Sequence, residues 1–158
     1  MDRPVAVPPK AVPISTGDED DLIVGQANES PPLLPEGEHR VAFVRPSRGR
    51  FLGRERIFLW FRIIEAGEHF GEEVYLVCPL PEHGKRFGIG SKFFKAWCLA
   101  AGRKPTPRER LSTRVFKGKV YRVEVKTVKK DQDGRDKPAH EHYSKIDRLI
   151  CVEAGANA

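Results

Sequence analysis

Glu55-Arg-Ile-Phe-Leu-Trp-Phe-Arg-Ile-Ile-Glu65 is the stretch around which the rest of the chain falls into place. Read with a period of two, it separates into two faces. Ile57, Leu59, Phe61 and Ile63 point one way, and Arg56, Phe58, Trp60 and Arg62 point the other. The aliphatic set is what a sheet turns toward its core. The other set mixes flat rings with guanidinium groups, and large rings left in water stabilise nothing unless something covers them. Two readings stay open: a strand buried on both sides with its arginines reaching out at the ends, or a ligand face where rings stack on bases and cations meet phosphates.

Outward from this strand, the chain reads as a β-rich domain behind a tail. Residues 1–35 hold seven prolines and no apolar period, which predicts a disordered segment. Within it Asp18-Glu-Asp-Asp-Leu-Ile-Val24 is an acidic run ending in three aliphatics. Such a segment is a candidate for docking a replication or recombination partner, although most acidic runs merely solvate a tail.

The folded part is predicted over residues 36–153, with 154–158 frayed. His39 to Arg45 reads as a first strand in which Val41/Phe43 and Ala42/Val44 fit the interior equally. Pro46-Ser-Arg-Gly-Arg-Phe-Leu-Gly-Arg54 reads as a loop, carrying Arg48, Arg50 and Arg54 around Phe51. The second strand ends near Ile64, and a turn at Glu65–Gly71 leads to a third strand, Glu73 to Cys78. If those two are antiparallel neighbours, Tyr75 shares a face with Phe58 and Trp60.

Ser91 is a candidate N-cap for a helix over Lys92–Ala101, with Phe93, Phe94, Trp97, Cys98 and Ala101 at helical spacing and Gly102 after it. Trp97 is expected to plug the core. Thr106-Pro-Arg-Glu109 has the pattern of a capping box opening a short helical turn. A fourth strand is expected over Phe116–Val128, with Tyr121, Val123 and Val125 inward. Lys129 to His140 makes a polar hairpin tip turning at Asp133-Gly134 and bearing Lys129, Lys130, Arg135 and Lys137. A fifth strand, Tyr143 to Val152, places Ile146, Ile150 and Val152 together.

Composition bounds the chemistry. The chain of 158 residues carries a net charge of +6, unevenly spread. Residues 1–37 hold seven acidic and two basic residues, a net of −5, which leaves +11 on the remainder. Such an excess attracts polyanions. No apolar run approaches the roughly 18 residues of a membrane span, and the start lacks the layout of a secretory signal. Three cysteines without a CxxC pair argue against a disulfide framework, so a reducing cytoplasm is the expectation.

Catalytic and metal patterns are weak. His140-x-His142 has no third ligand at suitable spacing. Gly84 to Lys92 departs from a phosphate loop in order and spacing. Asp131, Asp133 and Asp136 lack the closing Glu of a calcium loop. No cofactor, no metal and no catalysis are expected.

Three strands, a helix and two strands is the chain order of the OB-fold, a five-stranded Greek-key barrel with one helix between strands three and four. In that fold strands two and three form the ligand face, closed over by the loops joining strands one to two and four to five. Those regions hold Phe58, Trp60 and Tyr75, the Arg48/Arg50/Phe51/Arg54 loop and the lysine-rich tip. Residues 36–153 resemble the OB-fold single-stranded DNA-binding proteins of phages, plasmids and integrative elements. The likeness lies in Phe58-Leu-Trp-Phe-Arg62, Gly67 and Gly71, Phe116-Lys-Gly-Lys-Val-Tyr-Arg-Val123 and Tyr143-Ser-Lys-Ile146. It implies sequence-independent binding of single strands in replication, recombination or transfer of mobile DNA. Cellular proteins resembling it carry their acidic tail after the domain, whereas Asp18–Val24 comes before it. The alternatives are a protein-interaction adaptor using the same face and an RNA binder. The sequence leaves DNA versus RNA and the oligomeric state open.

Overall fold

A computed structural model of the chain describes residues 22–24, 33–51, 53–81 and 85–154. The chain divides into two compact units, Met1–Ser30 and Pro31–Ala158. Of the first, only Leu22, Ile23 and Val24 are described, and they adopt no regular secondary structure. The acidic half of the Asp18–Val24 segment and the last four residues, 155–158, lie outside the described residues.

The second unit is mainly β. Five strands, β1 (Gly37–Phe51), β2 (Arg54–Ile63), β3 (Glu73–Pro79), β4 (Val120–Val128) and β5 (Tyr143–Ala154), form one antiparallel sheet. The single α-helix among the described residues, α1 (Lys92–Ala101), lies between β3 and β4, as the sequence predicts. Strand order is β3-β2-β1-β4-β5. Because every neighbour is antiparallel, the two outer strands β3 and β5 run parallel. They come into contact, yet no ladder joins them among the described residues, so the sheet is not closed.

β1 differs most from its expected form. It runs to Phe51 rather than ending at Arg45, so the segment expected as a loop is a strand paired with β2 down to Phe51↔Arg54. Pro46 sits inside it without penalty because β4 pairs only with Gly37–Ala42, leaving one edge of the later half without a ladder. A bulge at Val44 separates two registers, Phe43↔Phe61 before it and Arg45↔Trp60 after it. It turns Val41 and Phe43 to the interior, and then places Arg45, Ser47 and Gly49 on the opposite face. Gly53, at φ 77°, supplies the left-handed residue of the connection to β2.

β5 carries register shifts opposite β4 at three places. Its buried residues therefore recur every third position: Ile146 and Leu149 are buried and Val152 packs against the core. Leu149, not the expected Ile150, completes that face, since simple alternation cannot register the extra residues. β4 begins at Val120 instead of Phe116. Phe116 closes a 3-10 turn (Thr113–Phe116), and its carbonyl accepts from the Tyr121 hydroxyl at 3.1 Å.

α1 is capped as its sequence requires. Ser91 accepts from the Phe94 N–H at 3.1 Å, and Gly102 at φ 74° donates to the Cys98 carbonyl. Phe93, Ala96, Trp97 and Ala100 form its buried face, while Phe94 stays half-exposed. Trp97 is 1% exposed and donates its indole N–H to the Ser112 carbonyl at 3.1 Å. The core gathers Val41, Leu59, Phe61, Ile63, Leu76, Trp97, Phe116 and Tyr121. It also includes Leu34, upstream of β1 in the segment read as tail, whose N–H donates to the Ser144 hydroxyl at 2.8 Å.

The helical turn expected after Thr106 does not form. Thr106 to Glu109 is a tight turn with Arg108 at φ 69°, and a left-handed residue there stops helix propagation. No helix among the described residues is long and apolar enough to cross a membrane.

Candidate functional site

The face of β2 opposite the core carries Arg54, Arg56, Phe58, Trp60 and Arg62, and its neighbours decide what it becomes. β3 contributes Tyr75, in register with Trp60, and Glu73, in register with Arg62. β1 contributes Arg45 opposite Trp60, Ser47 opposite Phe58 and Gly49 opposite Arg56. All three rings on β2 and β3 are half-exposed, so neither of the two sequence readings is the full account. They are packed against one another and still reach the surface.

Tyr75 is the centre of this cluster. Its ring meets Phe58 edge-on at 5.2 Å (87°) and Trp60 at 5.1 Å (80°). Edge-to-face pairs of this kind are favourable and fix ring planes. Tyr143, the first residue of β5, lies close enough to Tyr75 to act on its phenol. Burial, followed by Tyr143, pushes the Tyr75 phenol up to about 12, so it stays neutral at physiological pH. Lys137, from the hairpin tip, lies over the Tyr143 ring at 5.2 Å. One run of contacts thus passes from β1 to the tip through Arg45, Trp60, Tyr75, Tyr143 and Lys137.

Each β1 residue on this face has a distinct task. The Arg45 guanidinium lies 5.0 Å over the Trp60 ring. The Ser47 hydroxyl accepts the Trp60 indole N–H at 3.1 Å. Gly49 leaves room for Phe58, because a Cβ there would stand 3.2 Å from Phe58 Cε1. The single acidic group in the cluster among the described residues is Glu73, which accepts from Arg45 at 3.0 Å and meets Arg62 at 3.6 Å.

The basic residues expected to serve the site divide into three groups. Arg54, Arg56 and Arg62 share the face of Phe58 and Trp60. Arg48 and Arg50 register with Ile57 and Glu55, so they stand on the reverse face of the β1–β2 hairpin, exposed. Phe51 pairs with Arg54 through its backbone; its side chain is outside the described ones. At the tip, Lys137 joins the cluster, while Lys130 is tied to Asp136 at 2.9 Å. Lys129 and Arg135 are exposed. The turn itself is held by Asp131, whose Oδ1 accepts from the N–H groups of Asp133 and Arg135 at 2.9 Å each.

Sequence reasoning missed Arg45, Ser47, Gly49, Glu73 and Tyr143. Tyr143 carried a signal, an aromatic at the start of the strand after a basic tip. Glu73 was legible as the register partner of Arg62 once β2 and β3 were paired. The three β1 residues carried none, because only the bulge at Val44 brings them to this side.

Elsewhere several ionic groups satisfy one another. Glu153 takes Arg40 at 2.6 Å and Arg122 at 2.7 Å, and Arg148 meets Glu124 at 3.2 Å. Among the described residues no three His, Cys, Asp or Glu side chains gather where they could hold a metal ion. His140 stands beside Glu141 and His142 bonds the Lys137 carbonyl, so the two histidines engage different partners. No protein-family model matches the chain, and no curated protein matches it.

Proposed function

We propose that the chain is a non-enzymatic, sequence-independent binder of single-stranded DNA built on an OB-fold. Support for the fold comes from the chain order of three strands, helix, two strands, and from β1 standing between β2 and β4 while β3 touches β5. One observation carries the function: four aromatic rings, Phe58, Trp60, Tyr75 and Tyr143, run across the outer face of the sheet between cations from β1, β2 and the β4–β5 tip. Bases offer a ring face whatever their identity, and phosphates meet guanidinium and ammonium groups, so binding is sequence-tolerant and strongly salt-dependent.

In this reading each ring has its own role. Tyr75 is wedged edge-on between its neighbours and orients them. Phe58 and Trp60 offer the stacking surfaces, Trp60 with Arg45 covering part of one face. The test is titration with poly(dT) at low and high salt, followed by tryptophan fluorescence. Trp97 is sealed in the core, so quenching reports Trp60. Trp60→Ala, which lacks that reporter and is followed instead by anisotropy of a labelled oligonucleotide, is expected to weaken binding by about 1–3 kcal/mol, one stacked base. Unchanged affinity in that variant, or affinity indifferent to salt, overturns the reading. Retention of a protein partner without affinity for any oligonucleotide would favour the adaptor instead, and matched RNA in competition decides between the two nucleic acids.

A further inference from the structure

Away from the ring cluster, a recess of about 490 Å³ opens beside α1. Its apolar lining comes from Phe87, Phe94 and Leu111, and its rim from Arg86, Arg108 and Arg110. That volume is in the range of small ligand pockets. Phe94 is a helix residue whose spacing suits the core, yet it is half-exposed here because α1 turns Phe93 and Trp97 inward instead.

The rim is rigidly built. Glu109 takes both terminal nitrogens of Arg103 at 2.8 Å and accepts from the Thr106 N–H at 2.9 Å. These bonds hold its carboxyl down to about 2, the Arg103 contact first. Arg103 in turn lies over Trp97 at 5.1 Å, so the turn is fastened to the buried tryptophan. The same network keeps Arg108 at φ 69°, a conformation an arginine rarely adopts. Backbone strain of this sort persists where surrounding bonds enforce it, and it collects at binding sites.

Among the described residues, charge on the rim is uncompensated. Glu109 is already neutralised by Arg103, whereas Arg86, Arg108 and Arg110 form no hydrogen bond or ion pair among the described residues. Three such guanidinium groups around an apolar floor match an anionic ligand with a bulky apolar part. A nucleobase fits less well. The Phe87 ring is already packed on Phe93, centroids 4.9 Å apart at 36°, so at most one of its two faces is open to a stacked base. A peptide places an aliphatic or aromatic side chain into such a recess without stacking, and its carboxylates pair with arginine in bidentate fashion.

We propose that this recess receives an acidic peptide segment of a partner protein. Its bulky apolar side chain enters against Phe87, Phe94 and Leu111, and its carboxylates engage Arg86, Arg108 and Arg110. The site is separate from the ring cluster in its residues and in its ligand, and it stands whether or not the chain binds DNA.

The experiment uses the full chain and a fluorescein-labelled peptide, Asp-Asp-Asp-Asp-Leu-Phe, followed by anisotropy at low salt. Arg108→Gly is the informative variant, since glycine accepts φ 69° and the turn can keep its backbone while the arginine side chain is removed. Saturable binding is expected, weakened about tenfold by Arg108→Gly with Arg110→Ala, and weakened similarly when the peptide ends in Ser-Ser. Oligonucleotide affinity and the thermal midpoint of the variant should stay at wild-type values. Absence of saturable binding, or equal binding by wild type and variant, overturns the proposal. So does a loss of oligonucleotide affinity as large as the loss of peptide affinity, which would assign the recess to nucleic acid.

Discussion

The carboxylate of Glu73 accepts from Arg45 at 3.0 Å, and that same guanidinium rests 5.0 Å above the Trp60 ring. An acidic group on β3 therefore sets where a cation on β1 lies over an indole on β2. The other Glu73 oxygen meets Arg62 at 3.6 Å, so one carboxylate offsets two cations on the face. Glu73→Gln keeps the shape and removes the charge. Tighter oligonucleotide binding is expected at low salt, about threefold to tenfold, with the salt slope steeper by roughly 0.7 for each cation released to phosphate. Equilibrium titration at several salt concentrations measures both, and weaker binding in the variant would mean that Glu73 is needed to position Arg45.

The two faces of the hairpin make a second prediction. Arg54 lies on the side of Phe58 and Trp60, whereas Arg48 stands opposite Ile57 on the reverse. Arg54→Ala is expected to lower the salt slope for single strands by about 0.7, one phosphate contact. Arg48→Ala should lower it by less than half as much. Equal slopes for the two variants would place the strand around the hairpin instead of along one side.

Gly49 tests the packing of the rings. Its missing side chain leaves the space that Phe58 Cε1 occupies, 3.2 Å from where a Cβ would stand. Gly49→Val should displace that ring, costing roughly 1–3 kcal/mol of stability through overpacking, and should weaken oligonucleotide binding along with it. Thermal unfolding and titration on the same sample check the pair. Loss of stability with unchanged binding would remove Phe58 from the interface.

Alkaline pH supplies a fourth. Burial raises the Cys78 thiol from 9.0 and, with Tyr143, the Tyr75 phenol from 10.0, each to about 12, and burial also raises Tyr121. Their folded forms hold protons that the unfolded chain gives up sooner. The native state thus binds more protons, and stability falls as pH rises. This contribution is fully present below about pH 9 and is lost between there and about 12. The thermal midpoint should decline across that window. Tyr75→Phe should flatten part of the decline, and an identical decline in that variant would exclude Tyr75 as a source.

The parts legible in sequence are those where a local rule and the tertiary environment agree. β2 alternates because one side packs on the core, and α1 starts at Ser91 and stops at Gly102 because backbone capping is a local matter. The grouping of Phe58, Trp60 and Tyr75 followed from pairing two strands in the commonest way. What escaped were the places where a strand gains a residue. Val44 in β1 and the shifts in β5 change the period without a compositional mark, which moved Arg45 onto the ring face and Leu149 into the core. The Thr106–Glu109 pattern met a different obstacle. Glu109 does reach back to the Thr106 N–H, but Arg103 claims both of its oxygens and the chain leaves as a turn.

The two ends of β1 answer to different anchors. Phe43 is fixed by the core, while Arg45 to Phe51 are phased by the two-residue link to Arg54, and Val44 absorbs the mismatch. One residue more or less in that link would have the arm trade sides. Pro46, Arg48 and Arg50 would then come to the indole and phenyl rings, replacing a strip with a single cation, a hydroxyl and a gap by a denser positive one. Loop length, in a chain of this design, sets how dense a positive strip lies beside the rings.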